Sequence, residues 1–211
     1  MPELSNLIAF ALISLGMVLT PGPNMVYVIS RSISQGRRAG LISLGGVGIG
    51  FLFYMLCAAF GITGLVMAVP YAYDTLRIAG GLYLLYLAWQ ALKPGGRSPF
   101  QVKNLPQDSD RQLFLMGLLT NLFNPKVAVL YLSLLPQFIT VGDGTSVLSQ
   151  SLILGSVQIG VSLTVNALVA LGAGSIALFL ATKPTWANVQ RWLMGTVLFG
   201  LAVRMAVEGR R

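Results

Sequence analysis

Charge is what this sequence has least of. Of its 211 residues, 14 are Lys or Arg and 6 are Asp or Glu, 9% in all, where soluble domains carry about 25%. So few charges cannot cover a soluble surface of this size, which excludes a soluble all-α core protein. Histidine is absent, and with it the commonest metal ligand and proton shuttle. The single cysteine, Cys57, sits in an apolar run, so an intrachain disulfide and a two-cysteine redox relay are both excluded. Every carboxylate (Glu3, Asp74, Asp108, Asp110, Asp143, Glu208) lies at the end of an apolar run or between runs. Intramembrane catalysis needs histidine, paired carboxylates, metal ligands or an activated nucleophile. The expectation is no enzyme, no catalytic residue, no cofactor and no metal.

What the chain has is apolar sequence: 55% hydrophobic residues and a mean hydropathy of +0.76. A membrane span takes about 20 mostly apolar residues. Six segments qualify: 4–29, 41–66, 75–92, 112–135, one from 147 to between 171 and 180, and 189–207. The N-terminal run carries Glu3, no preceding Lys or Arg and no small-residue cleavage site. It reads as the first span rather than a cleaved signal. The predicted fold is all-α and polytopic, in a lipid bilayer.

The longest connection, 93–111, contains Pro94, Gly95, Gly96, Pro99 and Pro106, the composition of an irregular solvated linker. It divides the chain into a first three-helix repeat, 1–92, and a second, 112–211. Arg77, Gly81, Leu84, Leu87 and Ala88 recur at identical spacing as Arg191, Gly195, Leu198, Leu201 and Ala202. Three spans per half is odd, so the halves are inverted relative to one another, an arrangement many secondary transporters share.

The net charge of +8 does not form a nucleic-acid-binding stripe, and nucleic acid is excluded as a partner. The basic residues report topology instead. Arg31, Arg37, Arg38, Lys93, Arg97, Lys103, Arg111, Lys183 and Arg191 fall in connections on one face; Arg77, Arg204, Arg210 and Arg211 fall on the other. The basic face is cytoplasmic, which puts both termini outside. In the second span, Gly46 and Gly50 make a GxxxG spacing, which serves helix packing inside the protein or the seam of a homodimer.

Two prolyl breaks interrupt apolar sequence at comparable places in the two halves. The first is Thr20-Pro21-Gly22-Pro23-Asn24; the second is Asn121-Leu-Phe-Asn124-Pro125-Lys126. Proline lacks an amide hydrogen and clashes with the preceding helical turn. In hydrocarbon such a break survives only buried in protein or lining a cavity, and paired breaks in two halves point to a transporter's binding site. Gly22 and Asn124 are suited to the N-cap, and Pro23 and Pro125 to the first helical position. The amides of Asn24, Met25 and Val26, and of Lys126, Val127 and Ala128, are then expected to be free to bind an anion such as a carboxylate.

Lys126 is the one charged side chain deep inside a span. Burial there costs about 2.5–3.5 kcal/mol on insertion scales, so it is expected to pair with a substrate carboxylate or a cavity carbonyl. The absence of a deep carboxylate favours a neutral zwitterion over a cationic substrate. Gln158, Ser162, Thr164 and Asn166 on the fifth span, with Tyr27 and Tyr131, are candidates to line the cavity, or else to bond between helices. The predicted substrate-binding residues are Pro21, Gly22, Pro23, Asn24, Asn121, Asn124, Pro125 and Lys126.

Four motifs together resemble the LysE/RhtB family of bacterial amino-acid exporters: Thr20 to Asn24, the Gly-Arg-Arg-Ala-Gly of Gly36 to Gly40, Asn124 to Lys126, and the Leu-Pro-Gln-Phe of Leu135 to Phe138. The likeness covers nearly the whole chain and is nearer the homoserine/threonine branch than the lysine/arginine branch. It implies export of small zwitterionic amino acids or close derivatives across the bacterial inner membrane, with protons as the coupling ion. Gly36, Arg37, Arg38 and Gly40 read as a tight cytoplasmic turn. A passive channel or a non-transporting membrane subunit is the alternative reading, since broken helices also line pores.

Overall fold

The computed structural model describes residues 2–62, 107–140 and 146–182, and single positions between 75 and 93 and between 185 and 203. The linker at 94–106, Asp143, Lys183, Arg191 and the C-terminal arginines, all used above, lie outside the described residues.

The first expected span is two helices, α1 (Leu4–Leu19) and α2 (Pro23–Gln35), bent by 52° at the first break. Gly22 and Pro23 take the N-cap and first helical position of α2, as proline's fixed φ and missing donor dictate. Along α1, Leu4, Ile8, Leu12, Leu15 and Leu19 point outward while Phe10, Ser14 and Met17 are buried. Large apolar side chains exposed along a whole face are what a helix set in lipid presents.

Helix α3 (Arg37–Cys57) follows at once. The turn expected over Gly36 to Gly40 is Gly36 alone, at φ +88°, a region that glycine occupies without steric cost. Gly40 is inside α3, closely packed on Ser32 and Ala170. The end of α3 widens into a π-turn, Ala58–Ile62.

The second half opens with α4 (Asp110–Leu122). It starts at a capping box: Gln112 N donates to Ser109 Oγ, and Ser109 N donates to Gln112 Oε1 at 2.9 Å. A 47° bend at the second break leads into α5 (Pro125–Val129), which continues through a π-turn, Leu130–Leu134, and a tight 3₁₀ turn, Leu135–Phe138. Phe138 in that last turn rests on Phe10 of α1, ring centroids 5.2 Å apart. Gln150 then fastens the returning chain, accepting from Thr140 N at 3.0 Å and donating to Thr140 O at 2.7 Å. Helix α6 runs Val147–Thr182, about 54 Å at 1.5 Å per residue and longer than the bilayer's hydrocarbon core of about 30 Å.

Two segments, Arg37–Phe60 and Val147–Ser175, are singly long and apolar enough to cross a membrane, and the two bent pairs qualify together. The described positions from 75 to 92 and from 185 to 203 are helical. Within them Gly81 and Ala88 are buried, and so are their repeat partners Gly195 and Ala202; Gly195 packs on Leu92. The fold is an all-α, polytopic membrane protein whose two broken helices occupy matching places in an inverted repeat.

Gly45, Gly46 and Gly50 of α3 face α4 of the same chain. A Cβ on Gly46 would collide with the Phe114 carbonyl, one on Gly117 with the Ser43 carbonyl, and one on Gly50 with the Asn121 side chain. Backbone lies almost on backbone, so the GxxxG spacing is spent within the protein and not on a dimer seam. Gly46→Ala is expected to lower the melting temperature in detergent by about 5 °C or more, the cost of overpacking a fixed backbone contact. Gly160→Ala, where nothing lies within 4 Å of the new methyl, is expected to move it by less than about 2 °C.

Candidate functional site

The two breaks face one another across a hollow. Its walls come from α1 (Met17, Val18), the first break and α2 (Gly22, Asn24, Met25), α3 (Phe51), the second break and α5 (Asn124, Lys126, Val127, Leu130) and α6 (Gln158, Ser162, Asn166). The hollow is partly open, and its volume is about 30 Å³, enough for about one or two waters and too little for an amino acid. The structure therefore shows the site in a contracted form.

Lys126 bridges the two breaks. Its Nζ donates to Met17 O at 2.8 Å and to Thr20 O at 2.5 Å, carbonyls at the C-terminal end of α1. A helix C-terminus carries partial negative charge and leaves its last carbonyls without intrahelical donors. Of the two partners expected for Lys126, the structure shows the carbonyl, and among the described residues no carboxylate pairs with it. Its aliphatic chain crosses Gly22, where a Cβ would lie 3.1 Å from both Cε and Nζ. Gly22 is extended at φ −136° and ψ −179°, so it is small to make room for this side chain and not to satisfy its backbone.

The expected row of free amides is present at one break only. At the second, Lys126 N donates to Asn124 Oδ1 at 3.0 Å, while Val127 N and Ala128 N donate to Asn124 O at 3.0 and 3.1 Å. Asn124 caps this helix so completely that no amide is left for an anion. At the first break Val26 N is taken by Gly22 O, but glycine has no side chain with which to cap. The amides of Asn24 and Met25 have no acceptor among the described residues.

The other candidates divide by helix face. Asn24, Asn124, Gln158, Ser162 and Asn166 border the hollow. Tyr131 OH donates to Gln158 Oε1 at 2.6 Å, Gln158 Nε2 to Ser162 Oγ at 2.8 Å and Asn166 Nδ2 to Ser162 O at 2.8 Å. Unpartnered and buried in this wall are Asn24 Oδ1, Asn124 Nδ2 and Asn166 Oδ1. Pro21 is half-buried, and Pro23 and Pro125 are exposed on the outer surface; they make the bends without lining the site. Asn121 is fully buried against Gly50, away from the hollow. Thr164 is exposed on the far side of α6, and Tyr27 donates to Leu113 O at 3.0 Å, tying α2 to α4. The residues not foreseen are Met17 and Thr20. They were findable, because the helix before a break must end in bare carbonyls just as the helix after it begins in bare amides.

On one face of the molecule Arg31 pairs with Asp108 at 2.6 Å and lies over the Tyr27 ring, 5.6 Å from its centroid. Arg38 and Asp110 make an exposed two-point pair. The α2–α3 turn and the start of α4 thus share a face, as the two spans between them require.

Two broken helices around a polar hollow inside an apolar bundle define a membrane transporter. A family model described as LysE type translocator matches residues 15–209, and the chain belongs to that family. As a member it is a multi-pass secondary transporter of amino-acid-like solutes in the bacterial inner membrane, and not an enzyme. It is 29% identical over 190 residues to leucine efflux proteins of Salmonella choleraesuis (strain SC-B67) and Salmonella typhi, covering 90% of this chain and 89% of theirs. It is also 29% identical over 197 residues to the leucine efflux protein of Enterobacter sp. (strain 638), covering 90% of each chain. No solved structure matches it.

Asn124 caps a helix inside the bilayer, where no water replaces a lost partner. Asn124→Ala is expected to cost about 1 kcal/mol, read as a fall of about 2–4 °C in melting temperature. Asn124→Ser, which restores a capping oxygen, is expected to recover most of it; an unchanged Asn124→Ala protein would remove the capping role.

Proposed function

We propose that this protein exports small neutral amino acids with aliphatic side chains from the cytoplasm, by proton-coupled alternating access. The observation that carries this reading is the pairing of unused groups around the hollow. Unpartnered donors (the Asn24 and Met25 amides, Asn124 Nδ2) suit a carboxylate; unpartnered acceptors (Asn24 Oδ1, Asn166 Oδ1) suit an ammonium. Met17, Val18, Met25, Phe51, Val127 and Leu130 leave the rest of the wall apolar, a surface for an aliphatic side chain. No described carboxylate lines it, so a second substrate cation has no counter-charge. Relatives named for leucine efflux support a neutral substrate.

In this mechanism the substrate carboxylate lies on the amides at the start of α2 and its ammonium on the facing amide oxygens. The halves 1–92 and 112–211 rock about the site, joined by the linker at 93–111. The face carrying Arg31, Arg38, Asp108 and Asp110 is cytoplasmic by its basic residues, with both termini on the opposite side. The hollow is built within one chain, so a single copy is a sufficient transport unit even where two associate.

Counterflow in reconstituted vesicles tests this against a passive channel, because only a carrier exchanges faster when loaded on the far side. Leucine, valine or threonine inside is expected to accelerate leucine uptake, and lysine or arginine to be ineffective. No acceleration by any neutral amino acid would overturn the reading. Asn24→Ala is expected to raise the KM about tenfold to a hundredfold, since hydrogen bonds to charged groups contribute about 1.5–3 kcal/mol.

A further inference from the structure

We propose that Lys126 is the proton carrier of the transport cycle, and that its ammonium and the substrate's ammonium take turns on one cation site, the carbonyls of Met17 and Thr20. The inference rests on the exporter reading and adds to it the residue and the event that couple substrate to protons.

The geometry supplies the site. Two carbonyls from the end of a broken helix converge on one Nζ at 2.8 and 2.5 Å. Such oxygens coordinate a coupling cation in transporters with discontinuous helices. Here the cation is tethered, and its tether passes over Gly22, through the wall of the hollow. The carbonyls of Met17 and Thr20 and the amides of Asn24 and Met25 flank the same break, so in this proposal a zwitterion whose carboxylate takes the amides sets its ammonium on the same oxygens. With Lys126 seated, the hollow holds about 30 Å³ and leaves the substrate no room. Proton and substrate exclude each other, which is the requirement for antiport.

No other group among the described residues offers a proton at this place. Helices α1 and α6 contain no titratable side chain. From α2 come Tyr27 and Arg31, the first committed to Leu113 O and the second to Asp108. From α3 come Arg37 and Arg38 at one end and Tyr54 and Cys57 at the other, Tyr54 donating to Leu122 O at 2.8 Å. From α4 come Asp110 and Arg111 at its start, and from α5 only Tyr131, donating to Gln158. A phenol bound as a donor and an arginine that never deprotonates carry no cycle; an amine does, because burial shifts lysine's protonation readily.

The step balances. Facing the cytoplasm, Lys126 gives one proton to water entering the hollow and becomes a neutral amine, which leaves the carbonyls. The zwitterion binds, and the three donors of its ammonium take Met17 O, Thr20 O and one amide oxygen, Asn24 Oδ1 or Asn166 Oδ1. Facing outward, the zwitterion leaves, Lys126 takes one proton from the exterior, and the ammonium seats again for the return. One proton enters per zwitterion exported, and one positive charge moves inward with it.

The test uses the whole protein. Leucine added to the purified, weakly buffered wild-type protein is expected to release about one proton per leucine bound, and leucine affinity to fall about tenfold for each pH unit below the range where Lys126 deprotonates. In vesicles, Lys126→Met is expected to exchange leucine slowly yet build no gradient when a pH difference is imposed. Lys126→Arg, permanently charged, is expected to lose exchange and driven transport alike by more than tenfold while keeping its melting temperature. Leucine binding by the wild type without proton release, gradient formation by Lys126→Met, or normal transport by Lys126→Arg would each overturn the proposal. A wild-type protein that neither binds nor exchanges any amino acid would instead overturn the exporter reading, and this one with it.

Discussion

An ammonium inside a lipid-embedded bundle costs several kcal/mol unless its protons find partners. The carbonyls that end a helix in mid-membrane carry a similar cost, because no water reaches them. In this protein each deficit is met by the other. Lys126 supplies a donor to Thr20 O and a second one to Met17 O, which also accepts from Thr20 N at 3.2 Å, and α1 supplies the acceptors that Lys126 lacks. This contact draws the second break onto the first and fixes the space between them. Gly22 must be small because the lysine stem lies against it, and Asn124 must cap α5 because the residue after next has to present its side chain across the gap.

The two breaks are alike in sequence and unlike in chemistry, and the difference is useful. Aligning Pro23 with Pro125 sets Asn24 against Lys126 and Gly22 against Asn124. At the second break, asparagine satisfies the backbone locally: Asn124 N is held by Asn121 O, and its own oxygens take the next amides. At the first break glycine satisfies nothing beyond Val26 N. Among the described residues, the backbone polarity that helix bonds leave over at the two breaks is therefore gathered at the first, carbonyls for Lys126 on one side of Gly22 and unpaired amides on the other. A zwitterion has that same polarity reversed.

The bends, their caps and the helix boundaries were legible because they follow from proline geometry, which acts within a few residues. So was a close helix contact at Gly46 and Gly50, though only the fold shows that its partner is α4 of the same chain. Facing was harder. Thr164 is two residues past Ser162, a rotation of about 200° on a helix of 3.6 residues per turn, and that removes it from the wall. Asn121 and Asn124 are both buried amides in one motif, yet only Asn124 borders the hollow, because Asn121 is the last turn of α4 packed on Gly50. Counting free amides downstream of each proline missed the carbonyls upstream, and it named Asn124 as the N-cap without subtracting the amides that Asn124 takes.

The contracted hollow also constrains how the molecule moves. To admit an amino acid the space must grow about tenfold, and the α3–α4 seam resists parting because backbone meets backbone there. The softer boundaries lie elsewhere. The chain after the second break passes through a π-turn, Leu130–Leu134, a helix form with weakened regularity often found at functional sites. Its Tyr131 ring stacks on Tyr54, centroids 5.8 Å apart, and its hydroxyl engages Gln158. Widening between α5 and α6 has to exchange that hydroxyl bond for one to water or substrate. At the opposite end, separating α2 from α4 has to break the Arg31–Asp108 pair and the Tyr27 bond to Leu113 O together. The second route gives up a shielded ion pair, the first a single neutral hydrogen bond, worth about 0.5–1.5 kcal/mol. This contracted form is therefore held more firmly on the face that carries the α2–α3 turn.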